Sequence, residues 1–176
     1  TTGSIQQNPG MKTIGVISDT HKLLRPAAIA ALQGVDHIVH AGDIGSEAVL
    51  EALRELAPLD AIKGNIDRET WADCLPETLN LEIDGLRIHM AHDLKTVSAR
   101  QITESDVVIV GHSHKPLIDD SNGALIFNPG SAGPRRFSLP IALGLLHLDP
   151  AGPRPEIIEM PVPAPAKAQG KRRKRR

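Results

Sequence analysis

Aromatic residues are scarce in this sequence, and so are cysteine and long apolar runs. Phe, Trp and Tyr make up 2% of 176 residues, and tyrosine is absent. A surface that binds nucleic acid by aromatic stacking is therefore not expected, and the core must be aliphatic. The single cysteine, Cys74, cannot form a disulfide within the chain, and no apolar signal segment precedes the first predicted strand. These absences predict a cytoplasmic protein without a membrane span.

The formal net charge of −1 hides an uneven distribution of charge. Seven of the 20 lysines and arginines lie between Lys167 and Arg176, which leaves 13 basic residues against 21 acidic ones in the rest of the chain. An acidic body is atypical of nucleic-acid-binding proteins, and its carboxylates suit a protein that holds cations. Contact with nucleic acid or an acidic membrane surface is expected only through the basic tail.

The length of the chain and its 40% content of hydrophobic residues predict one folded domain. We place this domain at residues 11–161. Residues 1–10 are polar and without periodicity, which is typical of a disordered leader or an expression remnant. Residues 162–176 are rich in Pro, Ala, Lys and Arg, which predicts a disordered tail.

Strands alternate with helices from Met11 onward. Helices are predicted at residues 26–33, after a possible cap at Ser46, and at residues 96–105. Asp84-Gly85 predicts a tight hairpin. The predicted strands are Met11–Ser18, Val35–His40, Leu59–Lys63, Leu79–Ile83, Leu86–Ala91, Val107–Val110, Ala124–Phe127, Ile141–Leu148 and Glu156–Met160.

Polar residues follow the end of one predicted strand after another. In α/β folds ligands bind at the carboxyl ends of strands, so we expect these side chains to meet at one edge. Core packing does not explain them, because a buried charge without a partner is costly. The residues in this set are Asp19, His21, Asp43, Asn65, His92, His112 and His114.

The segment Gly-His-Ser-His ends the most apolar of these strands. Val107 to Val110 predict a strand that is buried on both faces, and Gly111 allows the chain to turn. If the chain stays extended beyond the glycine, the side chains of His112 and His114 point to the same side. A His-x-His pair alone is weak support for a metal site, because such pairs are common.

The combined set offers oxygen and imidazole ligands and no thiolate. This mixture suits borderline divalent metals such as Mn, Fe, Co, Ni or Zn. Seven groups exceed what one catalytic ion needs, and they suit two ions that share a carboxylate. Two such ions lower the pKa of a shared water, so that no side-chain nucleophile is required.

These motifs, in this order, resemble the calcineurin-like metallophosphoesterase family over about residues 11–161. The Gly-His-Ser-His and Asn-Pro-Gly-Ser segments resemble in particular its small bacterial and archaeal phosphodiesterase branch, to which the retromer subunit of eukaryotes is similar. The resemblance implies an α/β fold in four layers, α/β/β/α, with two packed mixed β-sheets flanked by helices. It also implies that Asp19, His21 and His114 hold one metal, that Asn65, His92 and His112 hold a second, and that Asp43 bridges them.

The activity implied is hydrolysis of phosphodiesters, and of activated monoesters, by a hydroxide that bridges two divalent metal ions. Manganese is the expected metal, with Fe, Co, Ni or Zn as alternatives. The alternative function is a non-catalytic, protein-binding scaffold with the same fold. A small phosphate ester and further copies of the chain, in a homo-oligomer, are the expected partners.

Other residues have two interpretations each. Asp67 stands beside the position where many relatives have a proton-donating histidine, which is Ile66 here. We interpret Asp67 as a catalytic residue that donates a proton or orients the donor, or else as a residue that forms a turn or supports the ligands. Asn65 and Arg135, or Arg136 in its place, are candidates for substrate phosphate binding. His40 is expected to be a hydrogen-bonded core histidine. Asp93 occupies a position where relatives usually have glycine.

Overall fold

The computed structural model describes residues 11–162, which form ten strands and three α-helices. The predicted leader at residues 1–10 lies outside the described residues, and so does the predicted tail apart from Val162. The strands belong to two five-stranded sheets. Among residues 11–162, no helix is long and apolar enough to cross a membrane.

The first sheet is mixed and is built around the first strand of the chain. Three of its strands run parallel, and a long carboxyl-terminal hairpin adds two antiparallel strands to the other side. Its strands are β1 (Lys12–Ile17), β2 (His37–His40), β3 (Leu59–Ala61), β9 (Ile141–Asp149) and β10 (Gly152–Met160). They lie in the order β10-β9-β1-β2-β3.

The second sheet is also mixed. Its strands are β4 (Thr78–Ile83), β5 (Leu86–Ala91), β6 (Val107–Ile109), β7 (Leu117–Asp119) and β8 (Leu125–Asn128). They lie in the order β4-β5-β6-β8-β7, with β5, β6 and β8 parallel. The predicted hairpin between β4 and β5 is confirmed, and Asp84 and Gly85 at its turn both have positive φ, as a type I′ turn requires.

The three helices are short. Helix α1 (Pro26–Ala31) begins at the predicted proline, and α2 (Glu47–Arg54) begins after Ser46, whose side chain makes no capping hydrogen bond. Helix α3 (Ala99–Thr103) is shorter than predicted. Its start is fixed by a capping box between Ser98 and Gln101, which satisfies backbone donors at that point.

Three apolar clusters separate four layers. Ile17, Ile38 and Leu143 of the first sheet pack against α1 and α2 through residues such as Leu32 and Leu50. A second cluster joins the two sheets, and its members include Ile14, Val16, Val39, Ile88, Met90, Ile109 and Phe127. The outer face of the second sheet packs against Ile102 of α3 through Val108, Val110 and Ile126. The α/β/β/α sandwich implied by the resemblance is therefore confirmed.

Strand β7 was not predicted from the sequence. It is three residues long, and Leu117 and Ile118 on it are exposed. β7 is an edge strand with little buried surface, so its sequence shows no alternation of apolar and polar residues. Only its pairing with β8 identifies it as a strand.

Candidate metal centre

The predicted polar residues lie beyond the carboxyl ends of strands from both sheets. Asp19, Asp43 and Asn65 follow β1, β2 and β3 of the first sheet. His92 follows β5 of the second sheet directly, and the Gly-His-Ser-His segment follows β6. The candidate site is therefore built where the carboxyl ends of the two sheets meet, as expected for a ligand site in an α/β protein.

Asp19, His21 and His114 form the first compact group. Their ligand atoms lie within 4.8 Å of one another. His114 Nε2 is 3.2 Å from Asp19 Oδ1, and His21 Nε2 is 3.4 Å from His114 Nε2. Asp19 Oδ2 accepts hydrogen bonds from the Ser18 hydroxyl and the His112 backbone N–H, but its buried Oδ1 has no hydrogen-bond partner among the described residues. A buried carboxylate oxygen that faces two imidazoles suits a cation.

Asp19, Asp43 and His92 form the second compact group, again with ligand atoms within 4.8 Å. His92 Nδ1 lies 2.7 Å from the Ala41 carbonyl oxygen and donates to it. In the neutral ring the lone pair then resides on Nε2, which is buried, lies 3.4 Å from Asp43 Oδ1 and lacks a hydrogen-bond partner within residues 11–162. This is the tautomer that a metal-binding histidine needs.

Asp43 lies between the two groups. Its Oδ2 is 3.7 Å from His21 Nε2, and its Oδ1 is 3.4 Å from His92 Nε2. Burial opposes ionisation of Asp43, but the adjacent His92, the Ile66 backbone N–H and His21 outweigh it and lower its pKa. Asp43 belongs to the second group, and its two oxygens face histidines of different groups, which suits a bridging carboxylate. Asp19 is the residue that is common to both groups.

Burial and the neighbouring carboxylates act in opposite directions on the two histidines that flank Asp43. For His21, burial outweighs the attraction of Asp43 and Asp19, and its pKa is lowered. For His92, burial is outweighed by Asp43, the Ala41 carbonyl and Asp19, and its pKa is raised. Because a histidine binds metal in its neutral form, the raised pKa makes metal binding at His92 more sensitive to acid than at His21.

Asn65 and His112 lie on the solvent side of the centre. His112 Nδ1 is 3.2 Å from Asn65 Oδ1, and the His112 ring meets the His92 ring edge-on at 5.1 Å. Asp93, which differs from the glycine of relatives, places Oδ2 4.0 Å from His112 Nε2. The contacts among neighbours connect all seven predicted ligand residues, although Asn65 and His112 stand outside the two compact groups.

Left-handed backbone conformations concentrate in this centre. Asp19, His21, Asp43, His112 and His114 have φ between 46° and 66°. The extended backbone that would place His112 and His114 on the same side is therefore not formed beyond Gly111. His112 and His114 instead face different neighbours, Asn65 and Asp19, because both residues turn left-handed. Such conformations cost about 1–2 kcal/mol per residue and persist only where surrounding contacts fix them.

His40 is a buried support and not a ligand, as predicted. Its Nε2 lies 3.0 Å from the Thr20 hydroxyl, and its Nδ1 accepts a hydrogen bond from the Gly42 backbone N–H. Complete burial lowers the pKa of His40 to about 3, so the ring is neutral at physiological pH. It holds the segment after β1 against the segment after β2.

Asp67 is buried and fully engaged with the backbone. Its carboxylate accepts hydrogen bonds from the backbone N–H groups of Ile44, Gly45 and Gly64 at 2.8–3.1 Å. The proton-donor role predicted for Asp67 does not fit this geometry, because both oxygens already accept from the backbone. The arrangement fits the alternative role, in which Asp67 ties the loop after Asp43 to the loop that carries Asn65.

Arg135 does not point a free guanidinium at the centre. Its Nε and Nη2 donate to the carbonyl oxygens of Leu139 and Ser138. The predicted phosphate-binding role of Arg135 does not fit these bonds, which fold its loop back on itself. The Arg136 guanidinium, by contrast, has no hydrogen-bond or ion-pair partner among residues 11–162.

Two supports of the centre were missed or left open by the sequence. The Ser18 hydroxyl donates a hydrogen bond to Asp19 Oδ2 at 2.6 Å. The fact that the two residues are neighbours in the sequence does not predict this bond. In the Asn-Pro-Gly-Ser segment, Asn128 donates to the Gly111 carbonyl and Ser131 donates to the Asp19 carbonyl. The segment therefore lies beside the site, as the resemblance implied, and fixes the two loops that carry the first group.

Comparison with known proteins identifies relatives in sequence and in fold. The calcineurin-like phosphoesterase superfamily domain matches residues 11–150. A probable metallophosphoesterase of Methanocaldococcus jannaschii is 37% identical over 136 residues, which cover 69% of each chain. The solved structure of an archaeal phosphodiesterase is 26% identical and covers 84% of this chain and 99% of its own, with a TM-score of 0.71.

A second solved structure, Vacuolar Protein Sorting 29 of Cryptosporidium parvum, shares the fold. It is 17% identical, with a TM-score of 0.68 over 85% of this chain and 98% of its own. That likeness concerns the fold alone. On the match of its sequence to the domain, which spans most of the described residues, this chain belongs to the calcineurin-like phosphoesterase superfamily.

Proposed function

We propose that this protein hydrolyses phosphodiesters, and activated phosphomonoesters, at a centre that holds two divalent metal ions. The observation that carries the proposal is that two buried ligand atoms close to Asp43, Asp19 Oδ1 and His92 Nε2, make no hydrogen bond among the described residues. Left without a cation, each would be a buried polar group with no compensation. The family to which the chain belongs and the archaeal phosphodiesterase of similar structure support the same reaction class.

Each residue of the centre has a proposed role. Asp19, His21 and His114 would hold the first ion, and Asn65, His92 and His112 the second, with Asp43 between them. Bound ions would supply a hydroxide at neutral pH and neutralise charge on the phosphoryl oxygens. Manganese is the proposed metal, because imidazole and carboxylate ligands together suit borderline divalent ions.

Three further side chains were candidates for proton donation or for binding of the substrate. Asp67 accepts from three backbone N–H groups and Arg135 donates to two backbone carbonyls, which supports a structural role for both residues rather than proton donation or phosphate binding. Asn65 remains a candidate for substrate binding, because with Oδ1 turned to His112 its amide N–H group can donate to a phosphate oxygen. Without a strong proton donor, the enzyme is expected to favour esters with good leaving groups.

The test is metal-dependent turnover. Protein stripped with a chelator should regain hydrolysis of bis(p-nitrophenyl) phosphate on addition of manganese. Asp43→Asn or His112→Ala should lower the rate of this hydrolysis at least about 100-fold. Asp120→Asn, an exposed carboxylate outside the centre, is the matched control and should keep full activity. Activity that survives Asp43→Asn would contradict the ligand assignment.

A protein-binding scaffold is the second candidate, favoured by the fold shared with Vacuolar Protein Sorting 29. A scaffold needs no metal ligands, and every predicted ligand position here has a competent side chain. Metal analysis of the purified protein separates the two functions. A scaffold should contain little transition metal and show no turnover with any phosphate ester.

A further inference from the structure

The loop after Ser131 is seated on the segment that carries Asp19. The Ser131 hydroxyl donates to the Asp19 carbonyl at 3.0 Å, and the Ala132 backbone N–H donates to the Ser18 carbonyl at 3.1 Å. Gly133 packs directly on the carbonyls of Asp19 and Thr20, where a side chain would not fit. The base of the loop is therefore part of the wall of the metal centre.

The tip of the loop is held in one shape. The Leu139 backbone N–H donates to the Arg136 carbonyl and closes a tight turn, and the Arg135 guanidinium binds the Ser138 and Leu139 carbonyls. These bonds leave Arg136 and Phe137 to project from the turn. Hydrogen bonds within the loop therefore fix the conformation of its tip, without buried apolar contacts.

Phe137 is unusual in both exposure and backbone conformation. Its side chain is 92% exposed, the largest value for a large hydrophobic residue in the described part of the chain, in a sequence where aromatics are 2%. Its φ of 53° is disfavoured for a bulky residue. Folding gains no buried area from this ring, so neither its exposure nor its strain is explained by packing.

Arg136 and Phe137 lie within reach of the metal centre. Phe137 lies four positions after Gly133, which touches the Asp19 segment, so the two Cα atoms are at most about 14 Å apart. Burial is the main cause of the lowered pKa of His21, and the charge of Arg136 adds to it. Arg136 is exposed on a loop whose base packs on the Asp19 segment, and its guanidinium is without a partner within residues 11–162.

We infer that Arg136 and Phe137 form a specificity subsite, in which Arg136 pairs with a phosphate oxygen and Phe137 stacks on a nucleobase of the substrate. The inference rests on the proposed function and names its substrate class, phosphate esters of nucleosides. A guanidinium matches phosphate in geometry and charge, and an exposed aromatic face gains most from a planar ring. An alkyl substituent would leave Phe137 in water.

The test compares two ligands that differ only by the base. Adenosine 5′-monophosphate and ribose 5-phosphate carry the same phosphate and ribose, and their binding to the manganese-loaded, full-length protein is measured by calorimetry. The wild type should bind the adenosine compound about 10-fold more tightly. Phe137→Ala should bring the two affinities within about 2-fold, Phe137→Trp should keep the preference, and Arg136→Ala should weaken both ligands about equally.

The outcomes separate the subsite from the proposed function. Equal affinities in the wild type, or a preference for adenosine that survives Phe137→Ala, would overturn the subsite and leave the phosphoesterase intact. If the manganese-loaded protein binds neither ligand, the subsite is wrong, and hydrolysis of bis(p-nitrophenyl) phosphate decides the proposed function separately. Ile118→Ala removes an exposed hydrophobic side chain from an edge strand and should change neither affinity.

Discussion

Single side chains fix the shape of the loops around the metal centre. His40 and Asp67 are both buried and both bind backbone groups of the residues near Asp43. Neither was a strong candidate for a ligand on sequence alone, because a buried titratable residue next to a site can serve as ligand, acid or support. The hydrogen bonds decide in favour of support in both cases.

Replacement of Asp67 by alanine should destabilise the protein strongly. The change leaves the N–H groups of Ile44, Gly45 and Gly64 without acceptors in a buried place, at a cost of about 2–4 kcal/mol in the free energy of unfolding. Urea unfolding of the chelated protein measures this cost. Asp73→Ala, at an exposed position, should cost much less. A large loss of activity at unchanged stability would restore Asp67 as the proton donor.

His40 should make stability depend on pH below neutrality. Its pKa is about 3 in the folded protein against 6.5 for an unperturbed histidine. Between these values the unfolded chain binds a proton at this ring that the folded protein does not. The stability that the neutral ring contributes is therefore full above pH 6.5. It falls by about 1.4 kcal/mol per pH unit as the solution becomes more acidic.

The measurement for His40 is a difference between two proteins. Other histidines and carboxylates also titrate in this range, so urea unfolding of the chelated wild type and of His40→Gln is compared from pH 7.5 to pH 5, about the range where the unfolded ring titrates. The variant should show the shallower dependence of stability on pH. Parallel curves would mean that His40 takes up its proton in the folded state as well.

At the scale of strands and loops, the sequence predicts where the site lies better than how its loops are shaped. An apolar run that stops at a small or polar residue marks a strand end, and the carboxyl ends of β1, β2 and β5 were located in this way to within one residue. The left-handed conformations of Asp19 and His112 were not predicted. They are fixed by hydrogen bonds between residues far apart in sequence, such as the His112 N–H to Asp19 Oδ2.

The same limit explains the correction at Arg135. A guanidinium near a phosphate site could be predicted from residue type, but its engagement by Ser138 and Leu139 depends on the local fold of one turn. Strand β7 escaped prediction for a related reason, since only its pairing with β8 defines it. Element positions follow from pattern, whereas loop geometry follows from contacts that the pattern does not contain.

The packing of the two sheets gives a prediction at the level of elements. Gly144 on β9 faces the ring of Phe127 on β8, and a side chain at this position would collide with that ring. Gly144→Ala should therefore reduce the free energy of unfolding by about 1–3 kcal/mol. Phe127→Leu in the same chain makes room for the added methyl group.

A double-mutant cycle is the measurement. The cost of Gly144→Ala should be clearly smaller in the Phe127→Leu background than in the wild type, because the two residues share one space. Additive costs would mean that the sheets shift to accept the methyl group. They would also indicate that this contact does not set the distance between the layers.

At the scale of the whole molecule, the metal centre joins the two sheets. Asp19, His21, Asp43 and Asn65 follow strands of the first sheet, whereas His92, His112 and His114 follow strands of the second. Each compact group contains at least one residue from either sheet. A cation bound there would connect the halves of the sandwich at one end, in addition to the apolar cluster between them.

This arrangement predicts that the proposed metal stabilises the folded protein in addition to its role in the reaction. The unfolded chain cannot hold these ligands together, so a divalent ion binds the folded protein alone and shifts the equilibrium towards it. At 100 times its dissociation constant, one ion should add about 2.7 kcal/mol to the free energy of unfolding, or about 5–10 °C to Tm.

Thermal unfolding with manganese and with a chelator checks this stabilisation without any substrate. His92→Ala removes a proposed ligand of the second ion and should reduce the shift by the part that this ion contributes, whereas Asp43→Asn, which affects the proposed bridge, should reduce the shift further. Asp120→Asn should retain the full shift, because this carboxylate is exposed and lies outside both compact groups. If manganese left Tm unchanged in the wild type, the two sheets would be held by their apolar contacts alone. The close placement of histidines and carboxylates at the edge shared by the sheets would then not be explained by a bound cation.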